Sequence, residues 1–242
     1  MEILMLINGI KIEFLKLKRT GIYWFIYIIP AIFTIVNGIL YAGSSKQGYE
    51  ILRAVTFQIF LTFLYPLLIG VITALLIRME RKDYGLNNQL ILPISRTRVY
   101  LNKLVLLVFL NLMIVITIYL VLAIYTLVFQ AKGYSLLEEI PHFVCIWLSG
   151  CLISSIQLLL SFQFSGVLVP IAFCTILTMT GMFASAQKTL SMIDFWTYPV
   201  LSAFNGYNLF LIGTVSFILT CLFTILGMYL FKNKWINQIG KQ

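Results

Sequence analysis

The sequence predicts an all-α polytopic membrane protein with six transmembrane helices in a single domain, residues 1–242. Hydrophobic residues make up 61% of the 242 residues and charged residues only 10%, whereas a soluble domain carries about 25% charged residues. Uncharged runs such as 54–77 and 104–131 reach the roughly 20 residues that a helix needs to cross a bilayer. A soluble fold is excluded because the chain lacks the polar residues that a water-facing surface requires.

The N-terminal stretch Glu2–Arg19 is amphipathic. Its apolar residues share one helical face with an arc of roughly 100°. They are Ile3, Leu6, Ile7, Ile10, Phe14 and Leu17, and Lys11, Lys16 and Arg19 lie off that face. The pattern predicts a helix in the inner membrane interface with its apolar face in the acyl boundary. The alternative is a polar extension of the first span.

Six apolar segments follow as predicted spans. They are Ile22–Tyr41, Val55–Ile77, Leu104–Phe129, His142–Gln163, Val167–Ala184 and Leu209–Phe231. Two outer loops are predicted between them, Ala42–Arg53 after the first span and Gln130–Pro141 after the third. Pro66 and Gly70 predict a bend in the second span, where neighbouring helices satisfy the freed carbonyl. The fourth and fifth spans share one uncharged run, 140–187, which is too long for a single crossing and contains a tight inner turn near Gly166.

A short aromatic segment, Phe195–Phe204, precedes the last span. It is apolar but has too few residues to cross the membrane. Because Trp and Tyr favour the headgroup level, the segment is predicted to be re-entrant or interfacial, at the outer face.

The distribution of positive charge sets the orientation. The N-terminus, the polar stretch 78–103 and the C-terminus hold thirteen of the 17 Lys and Arg residues, and the other side of the membrane holds four. The positive-inside rule therefore places both termini and the 78–103 loop in the cytoplasm. The same rule accounts for the net charge of +9 without a nucleic-acid partner.

Several chemistries are missing from the sequence. The predicted spans hold no Asp, Glu, Lys or Arg, which argues against coupling to an ion gradient, and their neutral polar residues are expected to hold helices together. No GxxxxGK[ST] motif occurs, so a nucleotide would be bound by another chain. Glu138, Glu139 and His142 only faintly resemble a membrane protease motif, and one histidine does not build a zinc site of the histidine-rich kind. Catalytic and metal sites are therefore not predicted.

The polar stretch 78–103 carries the most informative pattern. Its residues follow the order E…G…L..P.SR…Y..K, with Glu80, Gly85, Leu90, Pro93, Ser95, Arg96, Tyr100 and Lys103 at those places. This pattern resembles the cytoplasmic loop of ABC-2-type permeases, the membrane subunits of a class of ATP-driven exporters. The chain length and the absence of a large extra domain are similar to the permeases of lantibiotic-immunity exporters.

The resemblance implies a coupling helix that docks in a cleft of the ATPase subunit. It consists of Glu80, Arg81, Lys82, Asp83, Tyr84, Gly85 and Leu86. Alternating charges suit an orientable docking surface, Leu86 an apolar anchor, and Gly85 ends the helix. The alternative is a solvated basic loop without a partner, although such a loop has no need of Glu80 and Asp83.

The resemblance also implies partners. The chain is expected to work in a bacterial plasma membrane as a dimer, with itself or a sister permease, on two ATPase subunits that bind ATP and Mg. An amphipathic peptide such as a lantibiotic is the expected substrate, and membrane lipid surrounds the complex. The alternatives are an exporter of toxin peptides or small antibiotics and a non-transporting sensor or assembly module.

The expected substrate route lies between the two permeases, along the first, second and fifth spans. Candidate residues for an aromatic wall are Phe57, Phe60, Phe63 and Tyr65, and a lipid-facing or core stripe is the alternative for them. Candidate residues for an outer gate are Asp194, Trp196 and Tyr198.

Overall fold

The chain is helical wherever the computed structural model describes regular structure. The described residues are 13–15, 17, 21–42, 49–81, 95–128, 135–164 and 166–239. Their helices are α1 (Ile22–Ala42), α2 (Tyr49–Arg81), α3 (Arg96–Val128), α4 (Leu136–Gln163), α5 (Leu168–Ala184), α6 (Lys188–Ile193), α7 (Tyr198–Leu201) and α8 (Leu209–Ile239). These residues contain no strand, which confirms the all-α prediction.

Four of the described helices are long and apolar enough to cross a membrane: α2, α3, α4 and α8. Two more, α1 and α5, have shorter apolar stretches, Trp24–Leu40 and Leu168–Ala184. A stretch of 17 residues covers about 26 Å at 1.5 Å per residue, slightly less than the roughly 30 Å hydrocarbon core. The prediction of several apolar helices long enough to cross a membrane is confirmed, and a count of six depends on α1 and α5 crossing as well.

The helices extend beyond the predicted spans because charged residues continue them at their ends. Helix α2 begins at Tyr49, so Arg53 is helical rather than part of an outer loop. Helix α3 begins at Arg96 inside the polar stretch, and α4 begins at Leu136 in the predicted loop 130–141. Hydropathy marks only the apolar middle of each helix, whereas hydrogen bonding continues until a breaker or an unfavourable backbone ends it.

Helix α2 contains an irregular turn next to Pro66. Residues Phe60–Leu64 form a π-helical turn, and the Tyr65 N–H donates to the Phe60 carbonyl. Proline has no N–H and so leaves the Thr62 carbonyl without its usual partner four residues later. The sequence predicted a distortion at Pro66 and Gly70, and the structure places it one turn earlier as a π-bulge.

Helix α4 lies at the centre of the bundle, where it packs against α2, α3, α5, α7 and α8. Its buried residues include the small side chains Ser149, Gly150, Ser154 and Ser155. The three serine hydroxyls donate to carbonyls of α4 itself, at 2.7–3.0 Å. Small, internally satisfied residues let neighbouring helices approach closely, which is how helices associate in membranes.

A polar cluster at Gly150 joins three of these helices. The Tyr65 hydroxyl of α2 donates to Asn111 Oδ1 of α3, and Asn111 Nδ2 donates to the Trp147 carbonyl of α4 at 3.0 Å. A Cβ added at Gly150 would overlap the Tyr65 hydroxyl and the Asn111 amide. The absence of a side chain at Gly150 therefore makes room for the cluster. The expectation that neutral polar residues of the spans hold helices together is confirmed for Asn111.

The described part of the N-terminal stretch packs against protein. The Phe14 ring meets the Phe109 ring of α3 edge-on, with centroids 4.8 Å apart, and Leu17 is 2% exposed. These two residues of the predicted apolar face are directed at the bundle rather than at lipid, because α3 offers them an aromatic partner. The rest of the predicted interfacial helix, apart from residues 13–15 and 17, lies outside the described residues.

We expect Gly150→Ala to destabilise the bundle. The new methyl group must displace Tyr65 or Asn111, and overpacking of a tight interior costs about 1–3 kcal/mol. The measurement is the unfolding midpoint of the purified protein in detergent. Gly181→Ala is the matched control, since its Cβ would meet Trp196 Cβ at an ordinary 3.5 Å. Equal midpoints for the two variants would contradict the packing assigned to Gly150.

Candidate functional site

The predicted cytoplasmic end of α2 holds Glu80 and Arg81, the two described residues of the expected coupling helix. The Glu80 carboxylate is 3.1 Å from Lys103 Nζ of α3, and both carboxylate oxygens of Glu13 lie 3.2 Å from the same nitrogen. The three side chains are only 5–10% exposed. Glu80 therefore ties α2 to α3 and the N-terminal stretch, a role that the sequence interpretation did not foresee.

Arg81 binds the end of the central helix. Its guanidinium donates to the carbonyls of Ser161 at 2.8 Å and Phe162 at 3.1 Å, and also to the Phe164 carbonyl. The last carbonyls of a helix have no partner within the helix, and a basic side chain is a suitable donor for them. Arg81 thus caps α4 and fastens the end of α2 to it.

The remaining residues of the predicted coupling helix are Lys82, Asp83, Tyr84, Gly85 and Leu86, and they lie outside the described residues. The docking helix therefore stays a prediction. The structure shows how the end of α2 that leads into this stretch is held in place: Glu80 binds α3 and Arg81 binds α4. Beyond the gap, Arg96 Nη1 at the start of α3 donates to the Lys232 carbonyl of α8 at 3.5 Å.

Three of the four aromatic residues expected along a substrate route are internal. Phe57, Phe60 and Tyr65 are 0% exposed, because the inward face of α2 packs them against α1, α3 and α4. The Phe57 ring lies 5.4 Å from Tyr119, and the Phe60 ring lies 5.4 Å from Phe33. This corresponds to the core-stripe alternative for these three residues, and only Phe63 is partly exposed.

The segment with the expected gate residues folds into short helices. A 3₁₀ turn, Phe195–Thr197, links α6 to α7. The Asp194 carboxylate accepts a hydrogen bond from the Trp196 N–H at 2.9 Å. Burial raises the pKa of the Asp194 carboxyl, and the Trp196 N–H partly offsets that rise. Burial and the Asp194 charge also raise the pKa of the Tyr198 hydroxyl. Asp194 serves here as the cap of the 3₁₀ turn.

This segment is fastened to the bundle by side chains of several helices. Trp196 is 1% exposed, and its Nε1 donates to Thr178 Oγ1 of α5 at 3.2 Å. His142 Nδ1 of α4 lies 2.6 Å from the Ser202 carbonyl. Trp196 is therefore packed inside the protein rather than held at an open headgroup surface. His142, at the first turns of α4, holds the segment in place.

A buried ion pair close to this segment was missed by the sequence interpretation. Arg53 Nη1 of α2 and Glu139 Oε1 of α4 are 3.1 Å apart, and their side chains are 3% and 5% exposed. Both residues were assigned to outer loops. The sequence does show that each is a charged residue directly before a long uncharged run, which was the available indication of a buried pair. The pair fastens α2 to α4 at the end opposite Arg81.

We expect Glu139→Gln to destabilise the protein strongly. It leaves Arg53 buried without its counter-charge, and removing one partner of a buried ion pair costs about 3–5 kcal/mol. The neighbouring Glu138→Gln is the control, because Glu138 is exposed and surface substitutions stay within about 0.5 kcal/mol. The readout is the unfolding midpoint, and similar losses in both variants would refute the role of the ion pair.

Comparison with known proteins gives one match. A family model described as ABC-2 family transporter protein matches residues 9–181, which include α1 to α4, most of α5 and the polar stretch 78–103. The chain matches no curated protein and no solved structure. The matched range is more than half of the 242 residues and confirms the family-level resemblance. The chain therefore belongs to the ABC-2 transporter family, as a membrane component of an ABC transporter.

Proposed function

We propose that this chain is the permease of an exporter that works as a dimer, with itself or a sister permease, on two ATPase subunits. The family match over residues 9–181 is the observation that carries this proposal. Membership implies an association with an ABC ATPase. ATP and Mg are assigned to that partner, which supplies the energy of nucleotide hydrolysis, while this chain supplies the path through the membrane.

The proposed substrate is an amphipathic, membrane-inserting peptide of the lantibiotic type, expelled for self-protection. The exposed faces of α1 and α5 support this choice, because they are apolar and aromatic, with Trp24, Phe25, Phe173 and Phe183 all at least 41% exposed. The buried charges of the described helices are paired near helix ends. The exposed apolar and aromatic faces of α1 and α5 therefore suit a substrate that arrives from within the bilayer.

The proposed route runs along the surface of α2 between α1 and α5. Burial removes Phe57, Phe60 and Tyr65 from that surface. The exposed positions of α2 in this region are Val55 and Ile59, together with the polar Gln58. In the proposal, these residues and the partly exposed Phe63 line the route in place of the aromatic wall. They lie at or next to a π-helical turn, a feature that is frequent at functional sites.

The proposed coupling element remains the stretch that begins at Glu80. Because Glu80 pairs with Lys103 inside the bundle, Glu80→Lys would place two cations together and disturb folding as well as docking. A test of docking therefore belongs at Asp83, further along the predicted helix. In this proposal a movement of the loop is transmitted to α4 through Arg81 and to α3 through Glu80.

We expect Asp83→Lys to uncouple the permease from its ATPase. Charge pairs at a partly desolvated interface are worth about 1.5–7 kcal/mol, so the amount of co-purified ATPase falls at least about tenfold. Lantibiotic-stimulated ATP hydrolysis and the resistance of cells to the peptide fall with it. The unfolding midpoint of the permease itself stays unchanged.

Glu138→Lys is the matched control, since it reverses one exposed carboxylate at the opposite end of the bundle. It is expected to keep ATPase binding, hydrolysis and resistance. Full coupling in the Asp83→Lys protein would refute the docking helix. ATPase binding that persists without any effect of the peptide on hydrolysis or resistance would refute peptide export and leave the small-antibiotic and sensor alternatives.

The proposed topology has six crossings, both termini in the cytoplasm and the segment Phe195–Phe204 at the outer face of the plasma membrane. The four long apolar helices support it directly. Treating α1 and α5 as crossings keeps the thirteen cytoplasmic Lys and Arg residues on one side.

Single cysteines in a cysteine-free background test this topology. Cysteines at Gly43 and Gly133 are expected to react with a membrane-impermeant reagent from outside, and a cysteine at Asn88 only from inside. Tags at Lys188 and Tyr207 are expected to report the same side. Opposite sides for Lys188 and Tyr207, or outside labelling of Asn88, would contradict six crossings.

A further inference from the structure

A groove with a volume of about 690 Å³ runs between α4 and α8, near the ends at which both helices begin. Its lining comprises Pro141, Val144, Cys145 and Leu148 of α4, and Leu209, Phe210, Gly213, Thr214, Phe217 and Ile218 of α8. The four residues of α4 follow the spacing i, i+3, i+4, i+7 and so share one helical face. Ligand pockets have volumes of about 300–1,000 Å³, so the groove has room for one small molecule or one chain of a larger molecule.

The groove exists because α8 lacks a side chain at its centre. Gly213 faces α4, and a Cβ at this position would lie 3.3 Å from Cys145 Sγ. Phe210 and Phe217, one turn before and one turn after Gly213, are 80% and 57% exposed. The missing side chain between the two rings therefore leaves a slot that opens to the surface of the bundle.

The slot offers a ligand neither a charge nor a free polar side chain. Thr214 Oγ1 donates to the carbonyls of Phe210 and Leu211 at 2.9 and 3.0 Å. The Cys145 thiol donates to the Leu209 carbonyl at 3.2 Å. Water does not occupy a purely apolar site, and an extended peptide would leave its backbone N–H and C=O groups without partners there. A hydrocarbon chain has no such groups and fits this lining.

The length and depth of the slot match one leaflet of a bilayer. Helix α8 begins at Leu209, and the stretch from there to Ile218 covers about 14 Å at 1.5 Å per residue. One leaflet supplies about half of the roughly 30 Å hydrocarbon core. Because α4 and α8 are both long and apolar enough to cross a membrane, the slot extends from the predicted outer interface to about the middle of the bilayer. An acyl chain of an outer-leaflet lipid has the same direction and reach.

A second copy of the chain is a poorer occupant than a lipid. The slot is lined by ten residues, whereas a stable protein interface uses about 20–30 residues on each side. A partner helix, about 10 Å wide with its side chains, would rest on Phe210 and Phe217 and leave the floor at Gly213 unfilled.

We propose that this slot holds one acyl chain of a phospholipid from the outer leaflet. The chain lies along α8 between the rings of Phe210 and Phe217 and fills the space that Gly213 leaves open. It completes the packing of α8, which contacts mainly α4 and α3 in the described bundle. The proposal uses the predicted orientation of the helices and is independent of the exported substrate.

The experiment places the permease, with its co-purifying ATPase, in phosphatidylcholine vesicles that contain a small share of photoreactive phosphatidylcholine. One probe carries a diazirine near the headgroup end of an acyl chain, and a second probe carries it near the methyl end. Mass spectrometry of peptides identifies the labelled residues. The first probe is expected to label Leu209 and Phe210, and the second to label Phe217 and Ile218. Labelling of the slot is expected to saturate at a lower probe content than labelling of Leu211, which is 53% exposed at the same depth but outside the slot.

Two variants fill the slot from opposite walls. Val144→Trp adds a ring from α4 and Thr214→Phe adds one from α8, and both are expected to remove the labelling of Phe217 because the new ring occupies the place of the acyl chain. Leu211→Trp is the matched control, since it adds the same ring as Val144→Trp on the exposed surface beside the slot. It is expected to keep the labelling of Phe217. The unfolding midpoints in detergent of Val144→Trp and Leu211→Trp are expected to agree, because Val144 and Leu211 are 39% and 53% exposed.

Four outcomes would overturn the proposal. Parental labelling of Phe217 in both slot variants, or saturation together with Leu211, would reduce the slot to ordinary lipid-facing surface. The reverse order of the two probes along α8 would assign the chain to the inner leaflet. Displacement of the probe by an added lantibiotic-type peptide would assign the slot to the substrate. Cross-links between two permease chains through a cysteine at Val144 would assign it to a second copy. Failure of peptide export leaves all of these readouts unchanged, so the two proposals are tested separately.

Discussion

The bundle depends on the requirement that a charge inside a membrane protein has a close counter-charge. The five buried charged side chains of the described chain are Glu13, Arg53, Glu80, Lys103 and Glu139, and all of them belong to ion pairs of 3.1–3.2 Å. An unpaired charge would lose its hydration without compensation. Each pair joins two different elements, so this requirement also fixes where those elements meet along their length.

Helix α2 shows most clearly how contacts between polar groups fix the position of one helix against another. It is fastened to α4 near one end by Arg53 and Glu139, in the middle by the cluster of Tyr65 and Asn111, and at the other end by Arg81. Contacts at three levels leave little freedom for α2 to slide or rotate against α4. The two helices are therefore expected to move as one body, which suits an element that leads directly into the proposed ATPase contact.

At the opposite end of the bundle, α2 and α4 also contact the segment that precedes α8. His142 at the start of α4 holds the Ser202 carbonyl, and Glu50 at the start of α2 accepts a hydrogen bond from Asn205 at 3.3 Å. The segment with Asp194, Trp196 and Tyr198 is thus attached to α2 and α4, and α2 ends at Arg81 where the predicted coupling helix continues. In a chain of the ABC-2 family, such an arrangement provides a physical connection between the two ends of the helix bundle.

The sequence by itself determined the class of protein, the positions of the apolar helices and the family. Hydrophobic content, uncharged runs and the loop pattern from Glu80 to Lys103 are local properties, so a single chain shows them. The tertiary structure decided what individual polar residues do. Sequence assigned Glu80 to a docking surface and Arg53 to a loop, whereas packing gives both a buried partner far away in the chain. Helical periodicity reveals a face of each helix, but which neighbour covers that face depends on contacts between residues distant in sequence. For this reason the burial of the aromatic residues of α2 and the capping role of Arg81 became visible only in the folded chain.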